Sequence, residues 1–102
     1  MTSRESYLKE LQGRLNEWRA EIEVLKADAM RAEPKTRAEF EKRIVELRRQ
    51  CDNAERRIDE IRSSTDAGWE ELREGADHMW SGIKQLLKDT RAAFREGRES
   101  AK

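Results

Sequence analysis

The chain has 102 residues, 22 of them Lys or Arg and 22 Asp or Glu, and its mean hydropathy is −1.11. Charged residues make up 43%, with one Pro, five Gly and six aromatic residues, against ~25% charged in an ordinary globular domain. Such a composition excludes a large core and a β-sandwich, and no apolar run approaches the ~20 residues that span a bilayer. It fits a long-helix or coiled-coil protein, and the charges nearly balance in each third of the chain, which argues against a dedicated nucleic-acid arm.

From Leu8 the apolar residues fall at Leu8, Leu11, Leu15, Trp18, Ile22, Leu25, Ala29 and Ala32, alternating steps of three and four. This is a heptad seam. A second runs Phe40, Ile44, Leu47, Cys51, Ala54, Ile58 and Ile61, after the only proline, Pro34. Thr2-x-x-Glu5 and Thr36-x-x-Glu39 have the capping-box pattern, so helices are predicted over about 3–33 and 37–63. In an antiparallel pair, facing residues have a constant sum of numbers, and a sum of 69 aligns every layer of the two seams, Ala29 with Phe40, Trp18 with Cys51 and Leu8 with Ile61 among them. Bulky residues then meet small ones, as close packing requires. The midpoint of the register falls beside Pro34. Residues 1–65 thus read as an antiparallel coiled-coil hairpin with its turn at 33–36. The same register sets Arg19 against Arg48 and Arg14 against Arg57, but exposed charge pairs are worth at most ~1 kcal/mol, so the apolar layers dictate it.

Ser63-Ser64-Thr65-Asp66-Ala67-Gly68 interrupts the pattern, marking either a stutter in one long helix or a break between two. Beyond it, residues 66–97 read as a C-terminal amphipathic helix, with Gly97 its predicted end and 98–102 a frayed tail. Its seam is Trp69, Leu72, Ala76, Met79, Ile83 and Leu86, widened on one side by Trp80, Leu87 and Phe94. Gly68, Gly75 and Gly82 recur every seven residues on the other flank, where each costs ~0.5–1 kcal/mol relative to Ala, so close approach of a second helix or tolerance of small residues are both open readings. The first half of the segment is acidic (Asp66, Glu70, Glu71, Glu74, Asp77) and the second basic (Lys84, Lys88, Arg91, Arg95). That polarity suits the helix dipole and makes two antiparallel copies complementary.

Candidate chemistry is sparse. Glu71, Glu74 and His78 share a helical face, but a di-metal carboxylate site needs the Glu-x-x-His unit twice, so a solvated face is expected and no metal or cofactor. Cys51, in a seam position, reads as a small packed apolar residue. Lys35, Lys42, Arg49 and Arg56 form a basic stripe, diluted by acidic neighbours and without interleaved aromatics, so nucleic acid is not the expected partner. Met79 to Phe94 has the makeup of an interfacial helix, apolar on one side and basic on the other.

Leu15-Asn16-Glu17-Trp18, Ala20-Glu21-Ile22, Ile44-Val45-Glu46-Leu47-Arg48, Ala67-Gly68-Trp69-Glu70-Glu71-Leu72-Arg73-Glu74-Gly75 and Met79-Trp80 resemble a family of small bacterial coiled-coil-domain proteins, over roughly residues 5–95. The resemblance implies a bacterial, soluble, all-helical protein and supplies no catalytic residues. A lone Cys and an N-terminal Met-Thr-Ser-Arg-Glu-Ser without a signal-type apolar run suit the cytoplasm.

The expectation is therefore an all-α, non-enzymatic structural or interaction protein. The wide stripe of the last helix needs cover, and the contact residues are Trp69, Leu72, Gly75, Ala76, Met79, Trp80, Gly82, Ile83, Leu86, Leu87 and Phe94. Four occupants present themselves: a second copy, giving a homo-oligomer through residues 66–96; another protein; a lipid or granule surface; or the chain's own hairpin, giving a three-helix bundle. The second copy is the leading expectation and the lipid surface its alternative.

Overall fold

The computed structural model of the protein describes residues 3–100, with side chains described for 3–96. It contains three helices, α1 (Ser3–Met30), α2 (Pro34–Arg62) and α3 (Trp69–Ser100). They stand side by side in a rod of 54 × 19 × 16 Å. One continuous helix over 37–96 would reach ~90 Å at 1.5 Å per residue, so the chain breaks at 63–68 and folds α3 back onto the hairpin.

The α1–α2 seam forms as its periodicity predicts. Leu11, Leu15, Ile22, Leu25 and Ala29 are buried against Phe40, Ile44, Leu47, Cys51, Ala54, Ile58 and Ile61, while Leu8 and Trp18 are partly covered. Cross-links along the seam keep the predicted register within a few residues: Arg19 reaches Asp52 and Glu55, both at 3.1 Å, and Arg48 reaches Glu23 at 2.8 Å. The like charges that the register sets opposite each other are thereby resolved, since each arginine turns to a carboxylate one turn away. Arg14 and Arg57 do so within their own helices, with Glu10 and Glu60.

Three boundaries differ from the sequence expectation. The turn occupies Arg31–Glu33, not 33–36, and α2 starts at Pro34, not near residue 37. Proline's fixed φ suits the first helical position, and its missing N–H would find no partner there in any case. Glu33 is the N-cap in extended conformation, with φ −60° and ψ 151°, and makes no side-chain cap bond, so Thr36 lies inside the first turn and caps nothing. Gly97 does not end α3, which continues to Ser100; no described glycine has the positive φ of a left-handed C-cap. Thr2 and residues 101–102 lie outside the described residues.

The second break is made by side chains that compete for backbone groups. Ser63 Oγ donates to the Asp59 carbonyl at 3.0 Å and Ser64 Oγ to that of Ile61 at 2.6 Å, satisfying the open end of α2. Thr65 Oγ1 then accepts from the Gly68 N–H at 3.0 Å, an N-cap bond that launches α3. A Cβ on Gly68 would stand 2.9 Å from that same hydroxyl, which explains a glycine here. Arg4 of α1 ties the connection down, donating to the Ser64 carbonyl at 2.6 Å and pairing with Asp66 at 3.3 Å.

Candidate partner-binding surface

The sequence-predicted contact residues divide into three groups. Trp69, Ala76, Trp80, Ile83, Leu87 and Phe94 are buried in the chain's own core; Leu72, Met79 and Leu86 are partly buried at its edge. Gly75 and Gly82 are exposed, and a Cβ on either would meet nothing within 4 Å, so the close approach that their spacing suggests does not occur within the bundle. The stripe is thus covered by the hairpin, the last of the four occupants.

Rings do much of the covering. Phe94 stacks on Phe40 with centroids 3.6 Å apart and planes 13° from parallel, Trp80 lies 4.7 Å from Trp18, and Trp69 lies 6.1 Å from Tyr7. Trp18 thus packs on α3 as well as lying in the hairpin seam, and Cys51 is fully buried in the core. Phe40 likewise contacts α3 through Phe94. The large-against-small pairing of the hairpin reflects side chains aimed at a third helix.

The buried seam of α3 keeps Trp69, Ala76 and Ile83 of the expected pattern and takes Trp80 and Leu87 in place of their neighbours Met79 and Leu86. Its central positions are Ala76, Trp80, Ile83, Leu87, Thr90 and Phe94, with Met79 and Leu86 partly buried beside them. Thr90, which the sequence reading missed, is fully buried and donates its hydroxyl to the Leu86 carbonyl at 2.8 Å. The signal was available: steps of four and three from Ala76 through Trp80 arrive at Phe94 only by way of residue 90.

Chemical groups elsewhere are held by structural contacts. Burial pushes the Cys51 thiol above its ordinary pKa, with Arg19 opposing weakly, which disfavours the reactive thiolate. Tyr7, Asp77 and Arg73 form a cluster between α1 and α3, at an open groove of about 540 Å³. The Tyr7 hydroxyl donates to Asp77 Oδ1 at 2.5 Å, and the Arg73 guanidinium lies over the Tyr7 and Trp69 rings at 5.1 and 5.8 Å. Burial, then the bond to Asp77, raises the phenol's pKa, so it stays a donor. Glu71, Glu74 and His78 are exposed, and among the described residues no three His, Cys, Asp or Glu are placed to hold a metal ion. Of the basic stripe, Arg49 is paired with Glu46 at 2.7 Å, and Lys35, Lys42 and Arg56 are exposed. No helix among the described residues is long and apolar enough to cross a membrane.

What α3 leaves outward is its charge polarity. Glu70, Glu71, Glu74, Lys84, Lys88 and Arg95 are all exposed. The large apolar side chains that face solvent lie instead on the hairpin: Val24 is 61% exposed, Met30 63% and Val45 65%. Met30 and Val45 line one groove between α1 and α2, about 360 Å³ in volume, rimmed by Lys26, Arg37, Glu41 and Arg48. Scans against protein-family models, curated proteins and solved structures return no match to the chain.

Proposed function

We propose that the protein is a non-enzymatic interaction module, a small helical scaffold or adaptor that presents its hairpin to protein partners. The observation that carries this reading is the position of Val24, Met30 and Val45 on the hairpin, with no comparably exposed large apolar residue on α3 among the described residues. Met30 and Val45 share a groove whose rim is mostly cationic, a surface that suits an amphipathic segment with an acidic edge. The leading sequence expectation, self-association through 66–96, draws largely on side chains that close the bundle; what α3 leaves exposed is small, polar or charged, and exposed ion pairs bring ~0–1 kcal/mol each. Contact therefore passes to the hairpin. The test is a photo-crosslinking residue at Val45, compared with one at Gln85 on the outer face of α3, in cells expressing the full chain. Discrete adducts from Val45, diminished by Met30→Glu, are expected. Equal adducts from both positions, or none from either, overturn the reading.

A peripheral lipid-binding helix is the second reading, favoured by the ring pairs Tyr7–Trp69 and Trp18–Trp80 that close α3 against α1. The backbones of α1 and α3 stay farther apart than either stays from α2. A bundle of this kind opens by swinging α3 about residues 63–68, which releases Trp80 and Phe94 to a bilayer. Sedimentation with anionic phospholipid vesicles checks it: a bismaleimide joining Glu21→Cys to Arg91→Cys, residues whose native side chains meet at their tips, should abolish binding, and binding indifferent to that clamp excludes the opening.

A further inference from the structure

The outer face of α1 carries an exposed stripe in which small residues flank one large apolar side chain, Val24. Opposite the buried Leu15, Ile22 and Ala29 run Gly13, Glu17, Ala20, Val24 and Ala27, followed by Arg31 in the turn just past the end of α1, all exposed and spaced by alternating four and three residues. This is a second heptad seam on a helix whose first seam is already used. The other helices expose charged rows, Lys35, Lys42, Arg49 and Arg56 on α2 and Glu70, Glu74, Lys88 and Arg95 on α3; α3 also exposes Gly75, Gly82 and Ala92 but no large apolar side chain among the described residues. Along the α1 stripe the small residues Gly13, Ala20 and Ala27 admit a second backbone, and Val24 is its one large apolar side chain.

The charges name the occupant. Glu17 and Arg31 make no ion pair with the described residues of their own chain, and they stand seven residues to either side of Val24. In an antiparallel two-fold pair with Val24 on the axis, Glu17 of one copy meets Arg31 of the other, twice, and Ala20 lies beside Ala27. A parallel pair would set Glu17 on Glu17 and Arg31 on Arg31. The acidic residue nearest the axis, Glu23, is already neutralised by Arg48 at 2.8 Å. Resting on the reading of the hairpin as the interaction surface, we propose that the outer face of α1 is the contact between two copies of this chain, antiparallel, with Val24 at the two-fold axis. A contact through one helix face belongs to the small, transient class below ~1,200 Å², so the dimer is concentration-dependent.

The test uses the full chain. Light scattering at tens of micromolar should show a dimer, and Val24→Asp a monomer of unchanged helix content. Oxidation should cross-link Val24→Cys but not Gly13→Cys, whose copies lie ~33 Å apart in the antiparallel arrangement at 1.5 Å per residue; Cys51 is buried and does not compete. Glu17→Arg and Arg31→Glu should each weaken the dimer about tenfold, and the double exchange should restore it. A monomer at every concentration, a dimer indifferent to Val24→Asp, equal cross-linking from Gly13→Cys, or a double exchange weaker than both single ones overturns the contact. A monomeric chain that still gives the Val45 adducts loses the two-fold contact alone, whereas loss of the adducts removes the hairpin reading with it.

Discussion

The α1–α2 seam and the α1–α3 boundary hold the same helix by different means. Against α2, α1 sets Leu15, Ile22, Leu25 and Ala29 in repeating layers. Against α3 it sets two rings, Tyr7 and Trp18, on two others, Trp69 and Trp80, together with the Tyr7–Asp77 hydrogen bond and an Arg91–Glu21 pair at 3.4 Å. Aliphatic layers are short and similar, so they work only where backbones run close, and they spread stabilisation evenly along the seam. Rings bridge a wider gap at a few points, and each point then carries a large share. The two α1–α3 ring pairs share one offset in residue number and the two polar links share another, larger one, both positive in sense, as parallel helices require.

The sharpest way to break this comparison is to delete one ring. Trp80→Ala removes a buried indole from the Trp18 stack and should cost ~3–5 kcal/mol. Its effect should be local: amide exchange is expected to show α3 losing protection while α1 and α2 retain theirs. Leu47→Ala, fully buried in the layered seam, should cost ~2–5 kcal/mol and lower protection in all three helices together. Equal loss of protection everywhere in Trp80→Ala would show that α3 is not held as a separable unit. Pairing Trp80→Ala with Trp18→Ala in a double-mutant cycle should give a coupling of ~0.5–1.5 kcal/mol beyond burial.

The same contrast explains what could be read in advance. A layered seam writes itself into the sequence as steps of three and four, so the hairpin and its register follow from Leu8 to Ile61 without reference to any third helix. The seat of α3 depends on where rings point, and a periodic pattern carries no such information: Trp18 satisfies the seam equally well facing Cys51 or Trp80. The stripe of α3 was legible as apolar, but its phase was blurred because Met79 and Leu86 beside Trp80 and Leu87 allow two neighbouring seams. Burying Thr90, whose hydroxyl is satisfied within its own helix, selects between them. The apolar exposure of Val24, Met30 and Val45 was hidden for a different reason, since an outward residue becomes evident only when the inward set is known.

The connection at 63–68 offers a smaller lever. Thr65→Ala removes the N-cap bond to Gly68 and should destabilise by ~1 kcal/mol, read as a shift in denaturation midpoint. Gly68→Ala pits a helix-propensity gain of ~1 kcal/mol against the 2.9 Å approach of its Cβ to Thr65 Oγ1. In the Thr65→Ala background that conflict is gone, and Gly68→Ala should turn stabilising. Gly75→Ala and Gly82→Ala meet no neighbour and should each stabilise by ~0.5–1 kcal/mol. A loss at Gly82 would instead reveal a helix from another chain packed on that face.

An effect of similar size, read through pH, belongs to Tyr7, the chain's only tyrosine. Tyr7→Phe keeps the ring beside Trp69 and under Arg73 but deletes the bond to Asp77, so at neutral pH it should cost ~0.5–1.5 kcal/mol. The wild-type protein carries the same interaction as a pH dependence. Burial, the Asp77 bond and the nearby Asp77 and Glu10 charges raise the phenol's pKa in the folded state, while Arg73 opposes them. Above pH ~10, the ordinary tyrosine value, the unfolded chain releases this proton and the folded chain keeps it. The folded state then binds more protons, and its stability falls as pH rises. Denaturation midpoints should decline above that pH in the wild type and decline less in Tyr7→Phe, and tyrosinate absorbance should emerge together with loss of helix. A phenol that ionises at its ordinary pKa while the helices stay intact would show that the ring contact alone, without the hydrogen bond to Asp77, closes this end of α1 against α3.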